Sequence, residues 1–219
     1  MSYASPPCFA HELASAAAGV TAVDPVAAAD VARWRKAERA RLIAARLRLS
    51  SAERRRVSRA VAGELGRFAD RLGATVVGVY WPFRGELDLV PWMRTLAAGG
   101  TRVALPVVHE RGRPLVFREW WPGCRLERGI WNIPVPAEGP PLIPDLVVAP
   151  VVGFDHDCYR LGYGGGYFDR TLAALSPRPT AVGVGHLEAG IATIYPQPHD
   201  IPMDAVITGD GQVMRRGRG

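Results

Sequence analysis

Lysine is nearly missing from this chain. Of its 27 Lys and Arg residues only Lys36 is a lysine, so arginine carries almost all of the positive charge and the net charge is +6. Such a bias reflects base composition as much as function and by itself names no partner. Cysteine is scarce too: Cys8, Cys124 and Cys158 are far apart and form no Cys-x-x-Cys pair. That excludes a disulfide framework and a cysteine-held zinc site, and makes the cytoplasm the expected compartment. No apolar run approaches the roughly 18–20 residues that cross a bilayer, so no membrane partner is expected. The first 32 residues contain no Lys or Arg, unlike a secretory or transit peptide. Residues 1–30, Ala-rich with Pro6, Pro7 and Pro25, read as a loosely ordered leader. Two familiar nucleotide signatures are also missing, the Gly-Lys-Ser/Thr of a P-loop and the Gly-x-Gly-x-x-Gly of dinucleotide binders.

What the chain does contain is Arg160-Leu161-Gly162-Tyr163-Gly164-Gly165-Gly166-Tyr167-Phe168-Asp169-Arg170, with four glycines in five positions. Before it, Leu146 to Phe154 reads as a buried strand, and after it Thr171 to Leu175 opens a helix. A glycine-rich turn between strand and helix presents unpaired N–H groups to an anion, and the helix dipole adds to the attraction. Arg160 and Arg170 flank it with donors suited to phosphate oxygens. Asp169 is a hard carboxylate of the kind that holds Mg²⁺ beside a nucleotide. The competing reading is a plain tight turn. Two aromatics and three charged residues in so short a segment favour a nucleotide-phosphate site.

With 219 residues, 48% hydrophobic and 22% charged, the chain is sized for one core. Residues 31–49 read as a strongly basic helix. Ser50 to Glu53 is a capping box opening a second helix that ends near Gly73. Strands are expected at 75–81, 102–108, 114–119, 146–154, 180–185 and 204–208. Asp88 is the expected cap of a helix that carries Pro91 in its first turn and ends at Gly99-Gly100. The Gly- and Pro-rich segment 123–144 is irregular, with Trp131, Ile133 and Leu142 expected to be packed down. Residues 210–219 read as a disordered tail. Strands alternating with helices predict an α/β fold, a three-layer sandwich with a largely parallel sheet in a single domain over 31–209. Ligands of such folds collect at the carboxyl ends of the strands.

Taken together, the glycine loop with its trailing Tyr167-Phe168-Asp169, Gly153-Phe154-Asp155, Trp131 to Pro136, Glu86, and His199 to Asp204 resemble the 5-formyltetrahydrofolate cyclo-ligase family. The resemblance spans roughly residues 31–209. It implies an enzyme that uses ATP and Mg²⁺ to convert 5-formyltetrahydrofolate into 5,10-methenyltetrahydrofolate by phosphorylating the formyl oxygen. By that resemblance Arg35, Arg39 and the loop residues Arg160, Leu161, Gly162, Tyr163, Gly164, Gly165, Gly166, Tyr167 and Phe168 bind ATP. Trp81 and Glu86, with Tyr163, Gly164, Gly165, Gly166 and Tyr167, bind the folate. Arg160 and Tyr167 are the catalytic candidates, and Asp169 and Asp200 the metal ligands. Because Lys36 adjoins Arg35, the register there is open by one residue; Arg46, Arg48, Arg54, Arg55 and Arg56 read as surface. Gly190 and Gln197 depart from the family's commoner Gln and acidic residue, and Phe168 from its commoner Tyr. His186 and His199 read as structural rather than as catalytic bases. The partners expected are small molecules, for a monomer with no nucleic acid. Two alternatives stand beside this: a repurposed relative that keeps only the nucleotide loop, and a basic nucleic-acid-binding protein.

Overall fold

The computed structural model describes residues 25–217. Of the expected leader, residues 1–24 lie outside these, and Pro25–Asp30 form the first turns of helix α1 (Pro25–Arg48) rather than loose chain. The inner face of α1 is unusual, since Val31 and Leu42 are buried together with Arg35 and Arg46. Spacings of four and seven residues put all four on one stripe. Helix α1 therefore docks through guanidinium groups as well as through apolar side chains.

Helix α2 (Ser51–Leu72) starts at the expected capping box. Ser50 Oγ accepts the Glu53 N–H at 3.2 Å, and the Glu53 carboxylate accepts the Ser50 N–H at 2.9 Å. It stops at Gly73, whose φ of 65° suits glycine. Helix α3 (Val90–Ala98) has Pro91 in its first turn, but Leu89 is the capping residue. Asp88 lies one position further back, where its carboxylate accepts the Val90 N–H at 3.0 Å.

The strands are β1 (Val76–Gly78), β2 (Arg102–Val107), β3 (Val116–Trp120), β4 (Leu126–Arg128), β5 (Pro134–Pro136), β6 (Pro141–Leu142), β7 (Leu146–Pro150), β8 (Gly153–Phe154), β9 (Arg160–Leu161), β10 (Thr180–Gly185), β11 (Ala205–Thr208) and β12 (Val213–Arg215). Eight form one sheet in the order β12-β11-β10-β7-β1-β2-β3-β6. Pairing is parallel from β11 to β2 and antiparallel at both flanks. Thus the α/β sandwich with a largely parallel sheet is present as expected.

Three local readings are corrected. The long strand expected over 146–154 breaks after Pro150, and β8 leaves the main sheet to pair with β9. The tail is not simply disordered, because β12 pairs antiparallel with β11 and Val213 packs on the core. Trp131 is not packed down: it is 58% exposed, whereas Leu142 packs against the core.

Period-two alternation divides the sheet's side chains between two faces. Val103, Leu105, Val148, Val182, Val184 and Ile207 meet Val57, Val61 and Leu65 of α2 and Met93 of α3. Ala104, Val147, Ala149, Ala181 and Val206 face the other way, towards Leu172 of helix α4 (Tyr167–Ala174). Each fully buried Leu or Val contributes about 1.5–3 kcal/mol. The chain runs outward in one direction through β1 and β2 and in the other through β7, β10 and β11. A crevice is expected where the order diverges, at the carboxyl ends of β1 and β7.

Candidate active site

A cleft of about 420 Å³ opens at that divergence, and Tyr80 and Trp81 beyond β1, Pro150 of β7 and Leu105 of β2 line it. The glycine loop crosses its mouth. Asp155 helps to aim the loop: its buried carboxylate accepts the N–H groups of Asp157, Tyr159 and Ile194 at 3.2, 3.0 and 3.1 Å. That knot fixes the turn between β8 and β9, from which the loop departs.

Within the loop, Gly164 and Gly166 have φ of 93° and 61°, a region costly for any residue with a Cβ. Among the described residues no main-chain acceptor takes the N–H groups of Gly164, Gly165 or Gly166. The loop's carbonyls, in contrast, are held from outside. Arg39 Nε donates to Gly162 O at 2.6 Å, and Arg170 donates to Gly165 O. Amides free and carbonyls tied back is the polarity an anion site requires.

Two buried ion pairs sit beneath the loop. Arg160 meets Asp169 at 2.9 Å, and its Nε is buried without a partner. Burial pulls the Arg160 guanidinium below its usual pKa, with Asp169 opposing that shift. The second pair joins Arg35 to Asp200, and Arg35 Nε also donates to Ile194 O at 2.9 Å. The Asp200 carboxylate further accepts the Gln197 N–H at 2.7 Å, and Asp169 accepts the Ile201 N–H at 3.2 Å. Both carboxylates therefore anchor the same 197–201 segment. Burial, followed by the charge of neighbouring Arg35, lowers the pKa of Arg39. Of the two residues between which the register on α1 was open, Arg35 is buried and lines the cleft, and Lys36 is exposed.

The other end of the cleft is lined mainly by apolar side chains, with Glu86 and Arg84 as its charged groups. Trp81 is half-buried, with its back on the core and an edge on the cleft. Glu86 is buried and accepts the Phe83 N–H at 2.9 Å. Desolvation pushes its pKa up to about 7, against the lowering effects of Arg46, the Phe83 N–H and the Tyr163 hydroxyl. Tyr167 crosses Trp131 edge-on, with ring centroids 5.7 Å apart.

All the expected site residues line this one cleft: Arg35, Arg39, Trp81, Glu86, the run from Arg160 to Asp169, and Asp200. Two residues outside the expected set contribute as well. Trp131 lines the cleft from an exposed turn in which it and Asn132 have φ of 57° and 62°. Arg46, read as surface from sequence, is buried and donates to Arg84 O at 3.0 Å and to the Tyr163 hydroxyl at 2.5 Å. The signal for it was available, because Arg46 continues the stripe of Arg35 and Arg39. Of the two histidines, His199 lines the cleft. His186 is buried behind it, with Nε2 3.3 Å from Gly85 O and a pKa lowered chiefly by burial. Gly190 does not line the cleft but bridges to Phe154.

Fold and cleft define an α/β protein with a glycine loop, its amides unpaired among the described residues, set beside a largely apolar wall. Comparison with known proteins is more specific. A model described as the 5-formyltetrahydrofolate cyclo-ligase family matches residues 31–209, and the chain belongs to that family. The 5-formyltetrahydrofolate cyclo-ligase of Escherichia coli K12 is 34% identical over 142 residues, 62% of this chain and 78% of that protein. The enzyme of the same name from Mycolicibacterium smegmatis is 28% identical over 151 residues, 63% and 75% of the two chains. An NMR structure of Aquifex aeolicus 5,10-methenyltetrahydrofolate synthetase superposes with a TM-score of 0.74 at 30% identity, covering 84% of this chain and 94% of the other.

Proposed function

We propose that this protein is an ATP- and Mg²⁺-dependent ligase that closes 5-formyltetrahydrofolate to 5,10-methenyltetrahydrofolate, releasing ADP and phosphate. The observation that carries this reading is the division of one cleft into two ends. Arg35, Arg39, Arg160 and the unpaired loop amides make one end cationic. Trp81 and a single buried carboxylate, Glu86, make the other apolar. A triphosphate suits the first and a flat pterin, whose ring N–H groups need an acceptor, suits the second. The family's named members support the same assignment.

Phosphoryl transfer needs alignment and charge neutralisation more than covalent help from the protein. The loop amides from Gly162 to Gly166, with Arg35 and Arg39, hold the triphosphate against the formyl oxygen. Arg160, whose buried Nε lacks a partner, supplies a donor to the transferring group, and Tyr167 bounds the space between the substrates. The formyl oxygen takes the γ-phosphoryl group and ADP leaves. The second folate nitrogen then attacks the activated carbon, and departing phosphate carries the former formyl oxygen away. Asp169 and Asp200 fit a hard cation, one or two carboxylates beside phosphate oxygens being its usual protein share. Bound there, the ion would screen the triphosphate from the attacking oxygen.

A cytoplasmic monomer acting on small molecules fits this chemistry, and no helix among the described residues is long and apolar enough to cross a membrane. The nucleic-acid reading loses its main support because Arg35, Arg39 and Arg46 turn inward. The test follows methenyltetrahydrofolate absorbance after ATP, Mg²⁺ and 5-formyltetrahydrofolate are mixed with the protein. ATP-dependent signal is expected. Nucleotide binding without turnover would instead identify a repurposed relative.

A further inference from the structure

We propose that Arg46 is a positioning residue for the folate end of the cleft. Held between the Arg84 carbonyl and the Tyr163 hydroxyl, its charge keeps Glu86 available as an ionised acceptor for the ring N–H groups of the ligand. The proposal rests on the folate reading above and extends it to a residue which that reading does not use.

Arg46 lies on the inner stripe of α1, and its guanidinium reaches two separate walls of the cleft. Nε fixes the Arg84–Gly85 turn, where Arg84 has φ of 47° and Gly85 of 76°. Nη2 fixes Tyr163, whose ring the Arg46 guanidinium also overhangs at 5.8 Å. The Tyr163 hydroxyl, filled on one side by Arg46, is left to donate to Glu86. The ring of Tyr163 is itself 40% exposed, so its packing alone holds the hydroxyl weakly. Arg46 thus joins the turn that carries Glu86 to the loop that faces it.

Charge gives the second half of the argument. The groups facing Glu86 are Arg46 from α1, Tyr163 from the glycine loop and Tyr80 from the end of β1. His186, at the end of β10, touches the same turn through Gly85 O, with Glu188 and Arg54 beyond it. Arg46 is the one permanent cation that acts on Glu86 directly, Arg54 lying behind His186. Burial makes a carboxylate reluctant to ionise, and Arg46 is the strongest influence in the opposite direction. One Glu86 oxygen is already taken by the Phe83 N–H, so a protonated Glu86 gives up acceptor capacity at the other and presents an O–H there in place of a lone pair. Removing the cation therefore weakens folate binding by changing the charge state of Glu86 without touching the folate.

The test reads Glu86 directly. Protein labelled with carboxyl-¹³C glutamate is titrated by NMR, with Glu86→Gln assigning the resonance. Wild type is expected to show a midpoint near 7. Arg46→Met should move it upward by about one pH unit or more, and Arg46→Lys should restore most of the difference. Tyr163→Phe, a change on a half-exposed ring, should produce a smaller upward shift and covers the case in which Arg46→Met does not fold. In parallel, equilibrium dialysis of 5-formyltetrahydrofolate without ATP should show about fivefold weaker binding to Arg46→Met at pH 7. That gap should narrow towards about twofold at pH 8, where the wild-type carboxylate is almost fully ionised and the variant's about half, and affinity for an ATP analogue should be unchanged. A Glu86 midpoint identical in wild type, Arg46→Met and Tyr163→Phe overturns the proposal. A shifted midpoint in a protein that binds no folate at any pH leaves Arg46 controlling Glu86 and removes the folate reading instead.

Discussion

Arg35 and Asp200 lie 165 positions apart in sequence and close on each other as an ion pair whose side chains are each only 10% exposed. Both are candidates for binding charge of opposite sign, Arg35 for phosphate and Asp200 for a divalent cation, so each holds the other's ligand position in the free protein. Removing the arginine should therefore move the two affinities in opposite directions. With Mn²⁺ as an EPR-visible substitute for Mg²⁺, nucleotide-free Arg35→Gln should bind the ion severalfold tighter than wild type, because Asp200 has lost its competing cation. The same variant should bind an ATP analogue about tenfold more weakly, the loss of one charge-assisted contact. Falling affinity for both ligands would mean that Arg35 only holds the 197–201 segment in place.

The Arg160–Asp169 pair adds a stability effect to the roles proposed for its two members. Asp169→Ala would leave the Arg160 guanidinium buried and unpaired, which costs about 3–5 kcal/mol. It would also free the Ile201 N–H that the carboxylate accepts at 3.2 Å. Loss of turnover in this variant would thus be ambiguous. Asp169→Asn keeps the size and an acceptor and removes only the charge. Asp169→Asn should be the more stable of the two in urea, lose at least about 10²-fold in kcat, and keep its ATP-analogue affinity within a few-fold. Near wild-type turnover in Asp169→Asn would remove the metal-ligand role.

How far this cleft could be read from sequence depended on whether a residue's partners were local. The capping box of α2 uses residues three positions apart, and the glycine loop carries its own conformational demand, so both were legible. Arg46 was legible only in part: its place on the stripe of Arg35 and Arg39 was visible, but its partners, Arg84 and Tyr163, are 38 and 117 positions away and charge runs on helices usually face water. Trp131 misled for the opposite reason: a tryptophan usually signals burial, yet here two consecutive left-handed residues turn it outward beside Tyr167. The break of the 146–154 strand was hidden because β8 leaves the sheet while remaining buried and apolar, which hydrophobicity alone cannot separate from continued pairing.

Glu86 gives the molecule a pH dependence of definite sign. Its folded pKa of about 7 lies above the ordinary glutamate value of 4.5, so the folded state holds the proton more tightly than the unfolded chain. Its favourable contribution is complete below pH 4.5 and is lost as pH rises through 7. Glu86→Gln cannot ionise, and its hydrogen bonds resemble those of the neutral acid. Urea midpoints should be similar for the two proteins at pH 5, whereas at pH 8 the variant should be more stable by about 2–4 kcal/mol. At pH 8 the variant's folate affinity should meanwhile lie below that of wild type, separating the structural effect from the binding one. Equal stabilities at both pH values would mean that Glu86 ionises freely and that its burial carries no electrostatic cost.

Neighbouring loop glycines should fail in different ways when given a Cβ. At Gly164 the obstacle is backbone, since a φ of 93° is strained for alanine, and relaxing it re-aims the unpaired amides proposed to hold a triphosphate. At Gly165 the obstacle is a ring: an added Cβ would lie 2.8 Å from Tyr167 Cδ2 and 3.0 Å from Cε2. Tyr167 would have to swing away from Trp131 and from the Arg170 guanidinium stacked 5.2 Å from its ring. Gly164→Ala should therefore weaken ATP-analogue binding by about tenfold, corresponding to some 1–2 kcal/mol of strain. Gly165→Ala should chiefly raise KM for 5-formyltetrahydrofolate, with ATP-analogue affinity changed less than about threefold. Calorimetric titration of both ligands into both variants separates the two. Equal losses for both ligands in both variants would show that the loop moves as one rigid unit, with no division between its nucleotide and folate sides.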